Sequence, residues 1–360
     1  MINAWMANGA AALALFAPFS GVPAASKAVG IGGTQGQGQP ALRGSQFNPQ
    51  ISIVGDFAAV LKDDADSDRH ADFREIEFGF AADADPFLRV EAYIALAKED
   101  GETKVEVEEA FGRYSRLGRG LQAKVGKIAA AVGRVQRNHS DQLGYLNYPL
   151  VIQDVLGEEG MRAPGASLSY LFPGERFHEL TAEILDVGDE GPVYSGSSLD
   201  DPVVLGRYRT FFDFSADLSG QLGLTALCGP NGPGSGRGQT IGVDYTMKWQ
   251  PGQVGRSATF EGEAYWTKTE GSSRNAFGAF ARLMLEVAPK WFATLGYDES
   301  ELPGTDDRRH GYLAGLTRKV TEFHHWRLEW QRVKSNFEST RNLLTLQFQW
   351  IIGAHPAHRY

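Results

Sequence analysis

Ile241-Gly242-Val243-Asp244-Tyr245-Thr246-Met247-Lys248-Trp249 alternates without a break. Its odd positions carry Ile, Val, Tyr, Met and Trp; its even positions carry Gly, Asp, Thr and Lys. Successive side chains of a strand point to opposite faces, so this segment builds one apolar face and one polar, charged face. A soluble sandwich also alternates, so length has to decide. An ordinary strand has about 5–6 residues, whereas a tilted membrane strand needs about 9–11.

The pattern repeats in both directions along the chain. Ile76, Phe78, Phe80 and Ala82 alternate with Glu75, Glu77, Gly79 and Ala81. Leu88, Val90, Ala92, Ile94 and Leu96 alternate with Arg89, Glu91, Tyr93 and Ala95. Near the end, Leu344, Leu346, Phe348, Trp350 and Ile352 alternate with Thr345, Gln347, Gln349 and Ile351. Strands are expected over 50–60, 72–82, 87–97, 104–114, 120–133, 163–172, 176–186 and 206–218. Eight more follow over 221–228, 240–249, 257–268, 276–287, 290–299, 310–319, 324–333 and 341–352. Sixteen is an even number, as single-chain bacterial outer-membrane barrels require. The expected fold class is therefore all-β, a transmembrane antiparallel barrel of about 16 strands.

The connections agree. Those after odd strands are long, the longest being 134–162; those after even strands are short, with turn residues such as Asp83-Ala84-Asp85-Pro86 and Pro173-Gly174. Trp249, Trp266, Trp291, Trp326, Trp330 and Trp350 all fall on the apolar face, several near a strand end, where aromatic girdles form.

The 360 residues carry 44 Asp and Glu against 35 Lys and Arg, a net charge of -9. That balance argues against a nucleic-acid partner. A single cysteine, Cys228, excludes an intrachain disulfide and any multi-thiolate metal site. Residues 1–26 hold no charged side chain, and Ala10–Ala17 is an apolar run followed by Val22-Pro23-Ala24. This reads as a signal peptide over 1–24, followed by a flexible Gly/Gln-rich linker over 25–47 and a barrel over 48–360. No later stretch approaches the roughly 18 apolar residues of a membrane helix.

Over 48–360 the pattern resembles Gram-negative outer-membrane porins, and most closely the sixteen-stranded group that includes the phosphate-selective porins. Local phrases carry the likeness: Asp83-Ala84-Asp85-Pro86-Phe87 entering a strand, Val105-Glu106-Val107-Glu108-Glu109-Ala110, and Gly126-Lys127 before the longest loop. The terminal strand, Leu343–Ile352, is similar to the strand read by the barrel-assembly machinery. The resemblance implies a signal peptide, a place in the Gram-negative outer membrane among its lipids, and passive diffusion of small hydrophilic solutes or ions. It also implies that the third external loop folds inward and narrows the pore; the residues themselves equally allow a cap lying across the external rim. A homotrimer is compatible with it, and the sequence leaves the assembly open.

In this chain that loop carries Arg134, Arg137, His139, Asp141, Gln142, Asp154, Glu158 and Glu159. Pro149 can begin a short helix that stacks Val151 on Val155 and Ile152 on Leu156. On the clearest strands the inward charges are Glu75, Glu77, Arg89, Glu91, Glu179, Glu183, Asp213, Asp217, Asp244, Lys248, Glu261, Glu263, Arg282, Glu286, Arg327 and Glu329, twelve acids to four bases. The summed field of such a wall is negative, which predicts a mild preference for cations.

Other motifs are weak. His355-Pro356-Ala357-His358 lacks a third ligand and reads as a solvated tail, and His324-His325 reads likewise. Gly229–Gly234 lacks the lysine of a phosphate loop, and Cys228 has no evident activating partner. No Ser/His/acid cluster emerges by spacing, so the reading is non-enzymatic, with no cofactor and no metal. Two functions remain: a porin-like diffusion channel, or a non-transporting surface, structural or adhesive barrel with a plugged lumen.

Overall fold

A computed structural model describes residues 49–63, 71–99, 102–189, 191–232, 236–253 and 255–353. The expected signal peptide, the linker and the His355–His358 tail lie outside these residues. Sixteen strands follow in chain order: β1 (Gln50–Asp63), β2 (Ala71–Asp83), β3 (Leu88–Glu99), β4 (Glu102–Gly118), β5 (Leu121–Ala129), β6 (Arg162–Leu171), β7 (His178–Leu185) and β8 (Val203–Asp213). The second half holds β9 (Leu218–Pro230), β10 (Arg237–Trp249), β11 (Ala258–Thr269), β12 (Ala276–Ala288), β13 (Trp291–Glu301), β14 (Arg308–Lys319), β15 (His324–Ser335) and β16 (Arg341–Gly353). Each pairs antiparallel with its sequence neighbours, and β1 pairs with β16, so the sheet closes into a barrel with no free edge.

The wall is inside out relative to a soluble core. Ile241, Trp266, Leu295, Leu316, Trp326 and Leu328 are large, apolar and exposed on the outer face. Asp56, Glu77, Asp244, Glu263, Arg282 and Arg327 are charged and buried on the inner face. Only a solvent of lipid outside makes that arrangement favourable, because each exposed apolar side chain in water forgoes about 25 cal/mol per Å². All six tryptophans named above face outward; the Trp350 ring lies over Gly55, where a Cβ would collide with it.

All sixteen expected strands are found, with corrected ends. The strand expected over 206–218 stops at Asp213. Ser215 Oγ accepts hydrogen bonds from the Asp217 and Leu218 amides, which closes a turn over 214–217. Asp213 is thus exposed at the rim and Asp217 sits in the turn, and neither is a wall charge of the lumen. Apolar alternation continues through Phe214 and Ala216, which hid the turn. The strand expected over 120–133 likewise ends at Ala129, where the chain leaves the wall. The contrast in connection length rests mainly on two long ones, 130–161 and 186–202; only two residues separate β3 from β4.

Replacing Leu295, 54% exposed at the middle of β13, with Arg should destabilise the inserted barrel by about 2–4 kcal/mol, the cost of a cation at the bilayer midplane. Chemical unfolding in lipid vesicles measures this. An unchanged unfolding free energy would take Leu295 off the lipid face.

Candidate functional site

The long segment between β5 and β6 lies inside the barrel. Its stems are joined by the Ala130 amide donating to the Met161 carbonyl at 2.9 Å, and Gln136 Nε2 donates to the same carbonyl at 2.6 Å. Between them the chain turns across the lumen. Gly133 allows this, having φ +54° and no side chain; a Cβ there would strike Glu263 and Tyr265. As expected, a short helix, α1 (Leu150–Leu156), begins at Pro149. Leu150, Val151, Ile152, Val155 and Leu156 are buried, and the last four share one apolar cluster with Tyr145 and with wall residues such as Phe280 and Leu313.

The loop backbone is held by wall side chains on both sides of the barrel. Glu263 on β11 accepts the Arg134 and Val135 amides at 2.7 and 2.8 Å. Glu183 on β7 accepts the Ala131 amide at 2.8 Å, and Glu329 on β15 accepts the Leu146 amide at 3.1 Å. The carbonyls find cations and amides instead: Arg327 donates to Leu143 O at 2.8 Å, Gln349 to Asp141 O at 2.9 Å and Arg74 to Leu146 O at 3.2 Å. Peptide groups removed from bulk water need such partners.

The expected loop residues are brought to different places. Arg134 forms an ion pair with Glu261 at 2.6 Å. Arg137 is exposed within the lumen and lies within electrostatic reach of Arg209, Arg207 and Glu179. His139 is buried: Nδ1 is 2.7 Å from Glu77 Oε2 and 2.6 Å from Glu108 Oε2, while Nε2 is 3.0 Å from Glu109 Oε1. Burial opposes its charged form, but the Glu77 charge and hydrogen bonds to Glu108 and Glu109 outweigh that and raise its pKa well above the ordinary value. Asp154 on α1 pairs with Arg309 of β14, and Glu158 and Glu159 are exposed. Glu158 and Glu159 line an external cavity of about 940 Å³, together with Glu75, Glu108, Arg162 and Arg309.

Of the expected wall charges, Glu75, Glu77, Arg89, Glu91, Asp244, Lys248, Glu261, Glu263, Arg282 and Glu286 are on the inward side of their strands. Several are engaged: Arg207 with Asp244 at 2.9 Å, Arg282 with Asp298 at 2.8 Å, and Arg89 with Glu91 at 3.1 Å. The ratio of twelve acids to four bases does not describe the whole wall. Arg113 pairs with Glu91, Arg209 with Glu179, and Lys124 and Lys319 lie over the rings of Phe111 and Phe292. Arg113, Lys124 and Lys319 sit in strands that the count left out, and Arg209 sits in β8 ahead of its clearest alternation. Cys228, near the end of β9, has Arg237 Nη2 at 3.7 Å from its sulfur, a neighbour that spacing alone did not reveal.

No protein-family model matches the chain. An uncharacterized protein of Aquifex aeolicus (strain VF5) is 26% identical over 385 aligned residues, covering 87% of this chain and 80% of that protein. Solved structures share the fold. The anion-selective porin of Comamonas acidovorans aligns over 85% of this chain and 100% of its own, with 11% identity and a TM-score of 0.59. The high-pH structure of Pseudomonas putida OprB aligns over 85% and 94%, with 12% identity and a TM-score of 0.59. The outer membrane channel DcaP of Acinetobacter baumannii aligns over 85% and 96%, with 10% identity and a TM-score of 0.58.

Glu263→Ala removes the acceptor of two loop amides. A buried donor left unsatisfied costs about 1–3 kcal/mol. Hydrogen exchange at Arg134 and Val135 should therefore accelerate about tenfold or more. Unchanged protection would mean that these amides are held by something other than Glu263. The chain has the fold of outer-membrane porin barrels.

Proposed function

We propose that this protein is a channel of the Gram-negative outer membrane through which small hydrophilic solutes diffuse passively, its width set by residues 130–161. The observation that supports the reading best is the sidedness of the wall: an apolar belt outside, charged and hydroxyl side chains inside, and a long loop seated among the latter. Residues Arg134, Arg137, His139, Asp141, Asp154, Glu158 and Glu159 are proposed to form the constriction and its external approach. Insertion by the barrel-assembly machinery and assembly as a trimer are proposed on the likeness in fold; one such neighbour, OmpT of Vibrio cholerae, was solved in a trimer form.

A second reading has one observation in its favour. The loop reaches opposite walls, β11 through Glu263 and β2 through Glu77, so it crosses the lumen and does not merely line one side. A plugged, non-transporting barrel has this feature too. Planar-bilayer recording separates the two readings. The channel reading expects steps of conductance from the intact protein, and larger steps after deletion of Asp141–Glu159. Conductance seen only in the deletion would make the loop a plug, and silence from both refolded proteins would remove the channel.

Selectivity is proposed to be a weak cation preference. Six carboxylates and five cations line the external cavity, a small negative excess. Salt screens it over about 8–10 Å. The reversal potential across a salt gradient should therefore be slightly cation-selective at low salt and near zero at high salt. Clear anion preference would move the chain toward the phosphate-selective group and give Arg137, which is exposed within the lumen, the leading role.

A further inference from the structure

We propose that Glu77, Glu108 and His139 bind one divalent cation of the zinc class, which fastens the lumenal loop to β2 and β4. Two carboxylate oxygens lie 2.7 and 2.6 Å from the same imidazole nitrogen, His139 Nδ1. That nitrogen carries at most one proton and can satisfy only one of them by donation. The ligand atoms of the three side chains lie within 4.8 Å of one another, a spacing that a single cation can draw together.

Three further observations point the same way. Glu77 is 2% exposed, and its second oxygen, Oε1, has no hydrogen-bond partner. A carboxyl oxygen buried without a partner is costly, and a bound cation removes that cost. The other nitrogen of the imidazole, Nε2, is 3.0 Å from Glu109 Oε1. A metal-bound histidine commonly gives its second N–H to a carboxylate in this way, which fixes the tautomer that leaves Nδ1 as a ligand. Finally, the register of β3 and β4 shifts between Tyr93 and Ile94, so that Glu108 and Glu109 both turn inward. Strict alternation would have sent one of them to lipid.

One imidazole and two carboxylates suit zinc-class ions better than calcium or magnesium, which prefer all-oxygen sites. Glu108 also lines the external cavity, so the ion has a path in and solvent can supply a fourth ligand. The proposal does not rest on transport, since binding is read on protein in detergent.

The test uses the full chain without an affinity tag, refolded in detergent and stripped of metal. Calorimetric titration with Zn²⁺ should show one equivalent per chain. Glu77→Gln and Glu108→Gln should weaken binding at least tenfold, His139→Gln should abolish it, and Glu109→Gln should weaken it about 10–100-fold as an outer partner. No binding by the unaltered chain, or undiminished binding by refolded His139→Gln, overturns the proposal. Zinc-edge X-ray absorption on the unaltered protein decides independently of whether the variants fold. One imidazole among oxygen ligands is expected, whereas an all-oxygen shell or two imidazoles would assign the ion elsewhere.

Discussion

The peptide groups of residues 130–161 must find hydrogen-bond partners inside a barrel, and that requirement organises the lumen. A loop over the external rim would meet water. This one meets Glu183, Glu263 and Glu329 with its N–H groups and Arg74, Arg327 and Gln349 with its carbonyls. Acids and bases are therefore not interchangeable along the wall. Each sign stands opposite the backbone group it can satisfy. Removing one such partner leaves the other buried and unsatisfied, which costs more than the bond contributes net.

The same constraint changes what the lumenal charges mean. A carboxylate that accepts two amides, as Glu263 does, or that pairs with a buried guanidinium, as Asp244 does with Arg207 at 2.9 Å, contributes little free field to a passing ion. Counting wall charges overstates selectivity for this reason. The groups that a solute meets first are those that line open volume, such as Glu158 at the external cavity. Arg137 belongs with them, being exposed within the lumen.

The barrel was legible in the sequence because a lipid-facing strand cannot hide its period. Ile241 to Trp249 and Leu344 to Ile352 are faithful wherever the wall is regular. A long packed loop with a short helix was legible too, from its length and from Pro149 with the apolar positions of α1, whereas its inward course came only from the porin resemblance. Misreadings gather where period two breaks. Ser215 closes a turn inside a run that still alternates, which misplaced Asp217. At the bulge in β4, Glu108 and Glu109 share a face that adjacent residues do not ordinarily share, so the carboxylates around His139 were not visible as a group. A second bulge leaves Arg74 unpaired between Phe73 and Glu75 on the β1 side, where it reaches Asp56. Bulges re-aim side chains without leaving a mark in composition.

Arg74 also shows how closure of the barrel and seating of the loop depend on each other. The sheet closes where β1 meets β16. Across that seam Gln347 of β16 donates to both carboxylate oxygens of Asp56 on β1, each at 2.8 Å. Asp56 pairs in turn with Arg74 of β2 at 3.2 Å, and Arg74 donates onward to Leu146 O and to Asn147 Oδ1 of the loop at 3.2 and 3.0 Å. Gln349, two residues along β16, donates to Asp141 O of the same loop. The loop thus grips β16 and β2, the strands on either side of β1. Before the seam forms, Arg74 and Gln349 are not held on either side of β1, so the Leu146 and Asp141 carbonyls are not gripped together. Once it forms, the loop is enclosed and its peptide groups are committed to the wall. The segment that sets the width of the lumen is therefore also part of what holds its first and last strands together.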